Sequence, residues 1–129
     1  MSVHIAIVDG PVPATAGLAP TEVGRVGAVL SFDGIVREME DGRRLIALDY
    51  EAYEPMATRE LTAVAEEVVR AHGLISLACW HSRGRVLVGA ASLRVVIRAA
   101  HRGEALVAMG AFIDRLKRDV PIWKEPVWA

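Results

Sequence analysis

Thiol chemistry is almost absent from the sequence: Cys79 is the one cysteine in 129 residues. No intramolecular disulfide can form, and no Cys/His spacing suggests zinc, so the chain reads as cytoplasmic. Cys79 lies in the apolar run 74–80, read as a strand, where it acts as a small buried hydrophobe. An excess of charge of one sign is also missing. The formal net charge of −1 offers no bulk basic field to hold nucleic acid. No basic region precedes a long apolar run at the N-terminus, and Arg83, Arg85, Arg94 and Arg98 interrupt the most apolar later segments. Neither a signal peptide nor a membrane span is therefore expected. Gly-rich phosphate loops are lacking, which removes the Rossmann and P-loop readings. No repeat or linker divides the chain, so residues 1–129 are expected to form a single domain around one core.

What the sequence does have is apolar surface and alternating elements. Hydrophobic residues make up 53% of it and the mean hydropathy is +0.31, more than one small core needs and suited to an oligomer or partner interface. Residues 3–8 read as a first strand and 10–20, rich in Pro, Ala and Gly, as a loop, with a short helical turn starting at Thr21. Residues 26–36 form a β-branched buried strand that delivers Arg37 at its end; Glu40, Asp41, Gly42 and Arg43 make a turn, and 45–53 pair back antiparallel. In 55–72, Leu61, Val64, Ala65, Val68 and Val69 recur at helical spacing and Gly73 follows as a C-cap. Glu66 and Glu67 lie on its polar face and read as solvated. Strands at 74–82 and 92–99 flank a link at 83–90, with His81 at a strand end, where a lone histidine is more often structural than catalytic. The order is that of an α+β domain with a largely antiparallel sheet and two main helices covering one of its sides.

The stretch 99–128 concentrates the chemistry. Leu106, Met109, Ile113, Leu116 and Val120 recur at steps of three and four, the apolar stripe of a helix packed on a core. His101 and Arg102 open that helix beside Gly103, where free backbone N–H groups and the helix dipole favour a phosphate or carboxylate. Lys117 follows Leu116 near the far end. Its stem can run over apolar surface and its amine be partly desolvated, making it a base or nucleophile, or it can simply complement the C-terminal dipole together with Arg118. Pro121 stops the helix, and Lys124 follows on an extended segment beside Trp123, as a ligand cation or a surface cation over the indole. Arg37 is equally open to reading as a solvated cation at a strand mouth.

An ordered set of motifs spans most of the chain: Gly34-Ile35-Val36-Arg37, then Tyr50 to Tyr53 followed by Met56, then Ala100-His101-Arg102, then Leu116-Lys117 and Pro121 to Lys124. Together they resemble the large, catalytic subunit of molybdopterin synthase. The resemblance implies a fold of the α/β hammerhead type and an enzyme of molybdenum cofactor biosynthesis. That enzyme converts cyclic pyranopterin monophosphate to molybdopterin by installing a dithiolene, and takes its sulfur from the thiocarboxylate of a ubiquitin-like small subunit. It also implies catalytic roles for Lys117 and Lys124, and substrate binding by Ile35, Val36, Arg37, His101, Arg102, Lys117, Lys124, Glu125 and Pro126. It implies no metal and no cofactor. The lack of a usable cysteine agrees with imported sulfur.

The sequence departs from the family where HRxG becomes His81-Ser82-Arg83-Gly84, and where Glu125-Pro126 replace a basic residue and Glu after PIWK. The sequence as read to Ala129 is expected to lack the family's longer tail with its further basic residue, and these changes are expected to touch substrate affinity more than fold. Arg102 and Lys117 are 15 residues apart, about 22 Å along a continuous helix. Either the helix breaks, or one subunit's His101 end meets another's Lys117 end in a two-fold homodimer, with the small subunits making a heterotetramer. An alternative is a non-catalytic dimeric pterin-phosphate and partner-binding module. A hydrolase using His101 as base lacks a convincing serine or cysteine nucleophile.

Overall fold

The computed structural model describes residues 2–14, 16 and 24–129. The helical turn expected at Thr21 lies outside them. In chain order the elements are β1 (Val3–Asp9), β2 (Ala28–Ile35), β3 (Met39–Glu40), β4 (Arg43–Ala52), α1 (Met56–His72), β5 (Ser76–Leu87), β6 (Ala91–Ala99), α2 (Arg102–Asp119) and β7 (Ile122–Trp128). The fold is α+β, as expected. All strand pairings are antiparallel except that of β1 with β5, and both helices pack against the β1, β2, β5 and β6 part of the sheet.

The long strand β5 joins two halves of the sheet. Its first part pairs with β6 and with β1, and its last part, Gly84 to Leu87, pairs with β4. Beyond β4 lies β7, in a register that sets Tyr50 against Lys124 and Asp49 against Glu125. The expected link at 83–90 is therefore mostly strand. Charge hid it from the sequence: Arg83 pairs with Asp9 at 2.7 Å and Arg85 grips Asp49 at 2.9 and 3.0 Å on the neighbouring strands. Gly84, at a φ of +83°, lets the chain pass between the halves in a conformation that a side chain would strain.

A second correction concerns pairing. Residues 45–53 do not pair back on β2; β2 runs antiparallel to β6, from Ala28 opposite Ala99 to Ile35 opposite Ala91. Gly27 sits against Ala100 so closely that a β-carbon there would collide with its carbonyl oxygen, which fixes where this pairing begins. Only Met39–Glu40 folds back on β4, around Asp41 and Gly42 at φ of 51° and 75°.

Helix α1 buries Ala57, Leu61, Val64, Ala65 and Val68 and ends on Gly73 in the left-handed conformation. Its first turn is capped by Glu54, whose carboxylate accepts from the Thr58 N–H at 2.8 Å and its hydroxyl at 2.6 Å. Helix α2 buries Ala105, Ala108, Met109, Phe112 and Leu116; of the expected stripe Met109, Leu116 and Val120 are buried and Ile113 packs against the core, whereas Leu106 is 59% exposed. Small residues at 105 and 108 let the helix lie close to the sheet. The main core gathers these side chains with Leu77, Cys79, Val95 and Ile97, while Val36, Leu45, Leu48 and Val86 form a second cluster under β4. Of the two acidic helix residues, Glu67 is not simply solvated but pairs with Arg115 of α2 at 2.6 Å. Among the described residues, no helix is long and apolar enough to cross a membrane.

Candidate functional site

Where α2 ends, its cover over the sheet ends too, and a cleft of about 390 Å³ opens between β2, the middle of β5, β4, β7 and the last turn of the helix. Its walls bring together Ile35, Val36, Arg37, Lys117 and Lys124, which the sequence supplies from three separated motifs. Arg37 arrives at the mouth of β2, Lys117 from the helix end, and Lys124 from β7. Tyr50 faces the same way as Lys124 because the two are register partners on adjacent strands.

The electrostatics favour an anion. Glu40 is the one carboxylate among the lining residues, 3.8 Å from Lys124, so three cations face a single acid. Among the described residues Arg37 and Lys117 have no ion-pair partner, whereas Arg83, Arg85, Arg94 and Arg115 are each tied to an aspartate or glutamate. Lys117 is exposed. The expected desolvation of its amine is therefore not provided by this chain alone: Leu116 beside it turns into the core, and the lysine turns out over the cleft. Among the described residues Lys124 does not lie over an indole; Arg43 lies over Trp128, at 4.1 Å.

The remaining predicted site residues are elsewhere. His101 and Arg102 stand at the other end of α2, both exposed. The helix runs unbroken from Arg102 to Asp119, which removes a break as the way to bring them to Lys117. His101 caps no backbone group with its side chain and sits 3.4 Å from Glu104. Glu125 pairs in register with Asp49, so strand alternation turns it to the face opposite Lys124; neither it nor Pro126 lines the cleft.

The cleft also contains Tyr50, His81 and Ser92. In the sequence Tyr50 stands in one of the motifs without a role, His81 reads as structural, and Ser92 carries no local signal. The Tyr50 hydroxyl donates to Ser92 Oγ at 3.0 Å, and Ser92 Oγ lies 3.5 Å from the Gly34 carbonyl. A register shift between Gly34 and Ile35 leaves Ser92 without a partner residue on β2, a local irregularity common beside functional sites. His81 is buried, with Nδ1 2.7 Å from the Ser82 carbonyl and its ring edge-on to Tyr50 at 5.3 Å. Burial holds its pKa below the ordinary 6.5, against the opposing effect of that carbonyl, so the ring is neutral near pH 7. Among the described residues no group of three or more His, Cys, Asp or Glu is gathered as a metal site requires.

A family model described as MoaE protein matches residues 9–119. The rice protein named molybdopterin synthase catalytic subunit (Oryza sativa subsp. indica) is 44% identical over 102 residues, which is 79% of this chain and 53% of that protein. The chain thus spans about half the length of this curated relative. A crystal structure of molybdopterin synthase from Staphylococcus aureus superposes with a TM-score of 0.86 at 31% identity, covering 95% of this chain and 90% of that one. A complex of subunits 1 and 2 of molybdopterin-converting factor from Helicobacter pylori gives 0.73 at 25% identity, over 97% and 89% of the two chains. With 111 consecutive positions, 9 through 119, falling under one family model and the same fold in these neighbours, the chain belongs to the MoaE protein family.

Proposed function

We propose that the chain, acting as one domain, is the catalytic subunit of a cytoplasmic molybdopterin synthase. In this reading it converts cyclic pyranopterin monophosphate to molybdopterin, taking sulfur from the C-terminal thiocarboxylate of a small ubiquitin-like subunit. The observation that carries the proposal is the cleft in which Arg37, Lys117 and Lys124 converge on a scaffold of this family. Arg37, with the Ile35 and Val36 backbone beside it, holds the phosphate or pterin. Lys117 acts at the reacting centre, where its ammonium neutralises charge that develops as the thiocarboxylate sulfur bonds to substrate and water then takes the acyl carbon from it, leaving a terminal carboxylate on the small subunit. Lys124 binds and polarises the substrate from the facing strand. Glu125 and Pro126 extend the binding surface along β7 outside the cleft.

His101 and Arg102 enter through symmetry. About 22 Å of unbroken helix separates Arg102 from Lys117, too far for one small pterin to touch both. A two-fold homodimer that sets the α2 start of one copy at the cleft of the other completes the site. Two small subunits added to it give a heterotetramer, a reading supported by the Helicobacter pylori neighbour, which is a complex of two different subunits. The test is incubation of the purified chain with thiocarboxylated small subunit and the cyclic precursor, followed by detection of dithiolene product. Product formation is expected; tight precursor binding without product would make the chain a binding module instead.

A further inference from the structure

The rim and the floor of the cleft offer different hydrogen-bonding chemistry. The rim carries the cationic donors Arg37, Lys117 and Lys124, with Glu40 beside Lys124 as its one acid. The floor is set by strand alternation on β5: Leu77, Cys79 and His81 point to the helix-covered face, and the first two disappear into the main core. His81 is the member of that row that reaches past the end of α2, beside Leu116 and Lys117.

Two backbone carbonyls fix which way the floor's protons point. A carbonyl oxygen can only accept, so the proton of neutral His81 sits on Nδ1, directed at the Ser82 carbonyl 2.7 Å away. Nε2 is then a bare acceptor, with no hydrogen-bond partner among the described residues, on a ring that lines the cleft. In the same way the Gly34 carbonyl takes the Ser92 proton at 3.5 Å, so the Tyr50 hydroxyl donates to Ser92 and keeps a free lone pair. The edge-on contact of Tyr50 with His81, 5.3 Å between centroids, packs the two rings together, and both residues line the cleft.

We propose that His81 Nε2 and the Tyr50 oxygen form an acceptor pair at the floor of the cleft that reads the N–H donor edge of the bound pterin, while its phosphate lies on the basic rim. This rests on the function proposed above and assigns the substrate's orientation within it. A reduced pterin carries ring N–H and amino donors at one end, and in cyclic pyranopterin monophosphate the phosphate at the other. A ligand without those donors would leave both acceptors unpaired, which is how such a floor discriminates.

The experiment follows binding of cyclic pyranopterin monophosphate calorimetrically for wild type, His81→Phe and Tyr50→Phe, with the Nε2 resonance of ¹⁵N-histidine-labelled wild type recorded with and without it. Each variant is expected to weaken binding about tenfold, the effect of one neutral hydrogen bond, and His81→Gln to recover part of that loss. The wild-type Nε2 signal is expected to move from a free to a hydrogen-bonded position. Should His81→Phe fail to fold, the wild-type spectrum and Tyr50→Phe decide. Precursor that binds wild type while leaving Nε2 unmoved, or that binds both phenylalanine variants as tightly, overturns the acceptor floor but not the function. A wild type that does not bind precursor at all overturns both.

Discussion

Lys117 and Lys124 reach the cleft from opposite walls, and their settings differ. Lys124 has Glu40 at 3.8 Å, whereas Lys117 is exposed and has no ion-pair partner among the described residues. Replacing Lys117 by Ala is expected to abolish dithiolene formation while changing stability by less than about 0.5 kcal/mol, as for other exposed positions; turnover and urea unfolding measured on one preparation check both. His81 makes the contrasting prediction because it is buried and its pKa is depressed by that burial. The unfolded chain takes a proton near pH 6.5 and the folded chain resists it. The contribution to stability is therefore complete above that pH and is lost as pH falls from there through the folded value. In urea titrations from about pH 7 to about pH 5, above most carboxylate titration, wild type loses stability and His81→Phe loses less. At this scale the motifs made Arg37, Lys117 and Lys124 legible. Tyr50, His81 and Ser92 acquire meaning only from carbonyls and rings on other strands, which no local pattern records.

Among the elements, the helices were the easiest to read, since a helix buries its own periodic face and needs no distant partner to declare itself. Most of the α2 stripe is where the spacing puts it: Met109, Leu116 and Val120 are buried and Ile113 packs against the core. Leu106 faces out, and Ala105, Ala108 and Phe112 complete the buried face, the alanines allowing close approach to the sheet. Phe112, fully buried, is expected to cost about 3–5 kcal/mol when replaced by Ala. Exposed Glu66 on α1 should cost less than about 0.5 kcal/mol, as urea midpoints at constant slope will show. Strands were found individually but not their pairing. The sequence places residues 45–53 next to β2 in the chain, yet β2 pairs with β6 across more than fifty intervening residues. The second half of β5 escaped because its arginines read as a solvated link until Asp9 and Asp49 on neighbouring strands account for them.

At the scale of the whole molecule, the cleft and the His101–Arg102 end of α2 lie at opposite ends of the helix, and the proposed two-fold dimer would bring them together. Val107 on the same helix is 64% exposed and Leu106 59%, apolar area that agrees with a covered surface. Sedimentation at micromolar concentration is expected to give a dimer. The most direct measurement of the account is dithiolene turnover by wild type, by the double variant His101→Ala/Arg102→Ala, by Lys117→Ala, and by an equal mixture of the two variants allowed to exchange subunits. If sites are shared between copies, wild type is active and each variant alone is inactive. The mixture then recovers about a quarter of wild-type turnover, since half of randomly assorted dimers are mixed and each has one intact site of two. Product from neither wild type nor the mixture would contradict the proposed activity. An active wild type with no recovery on mixing would contradict the composite site on which it is built.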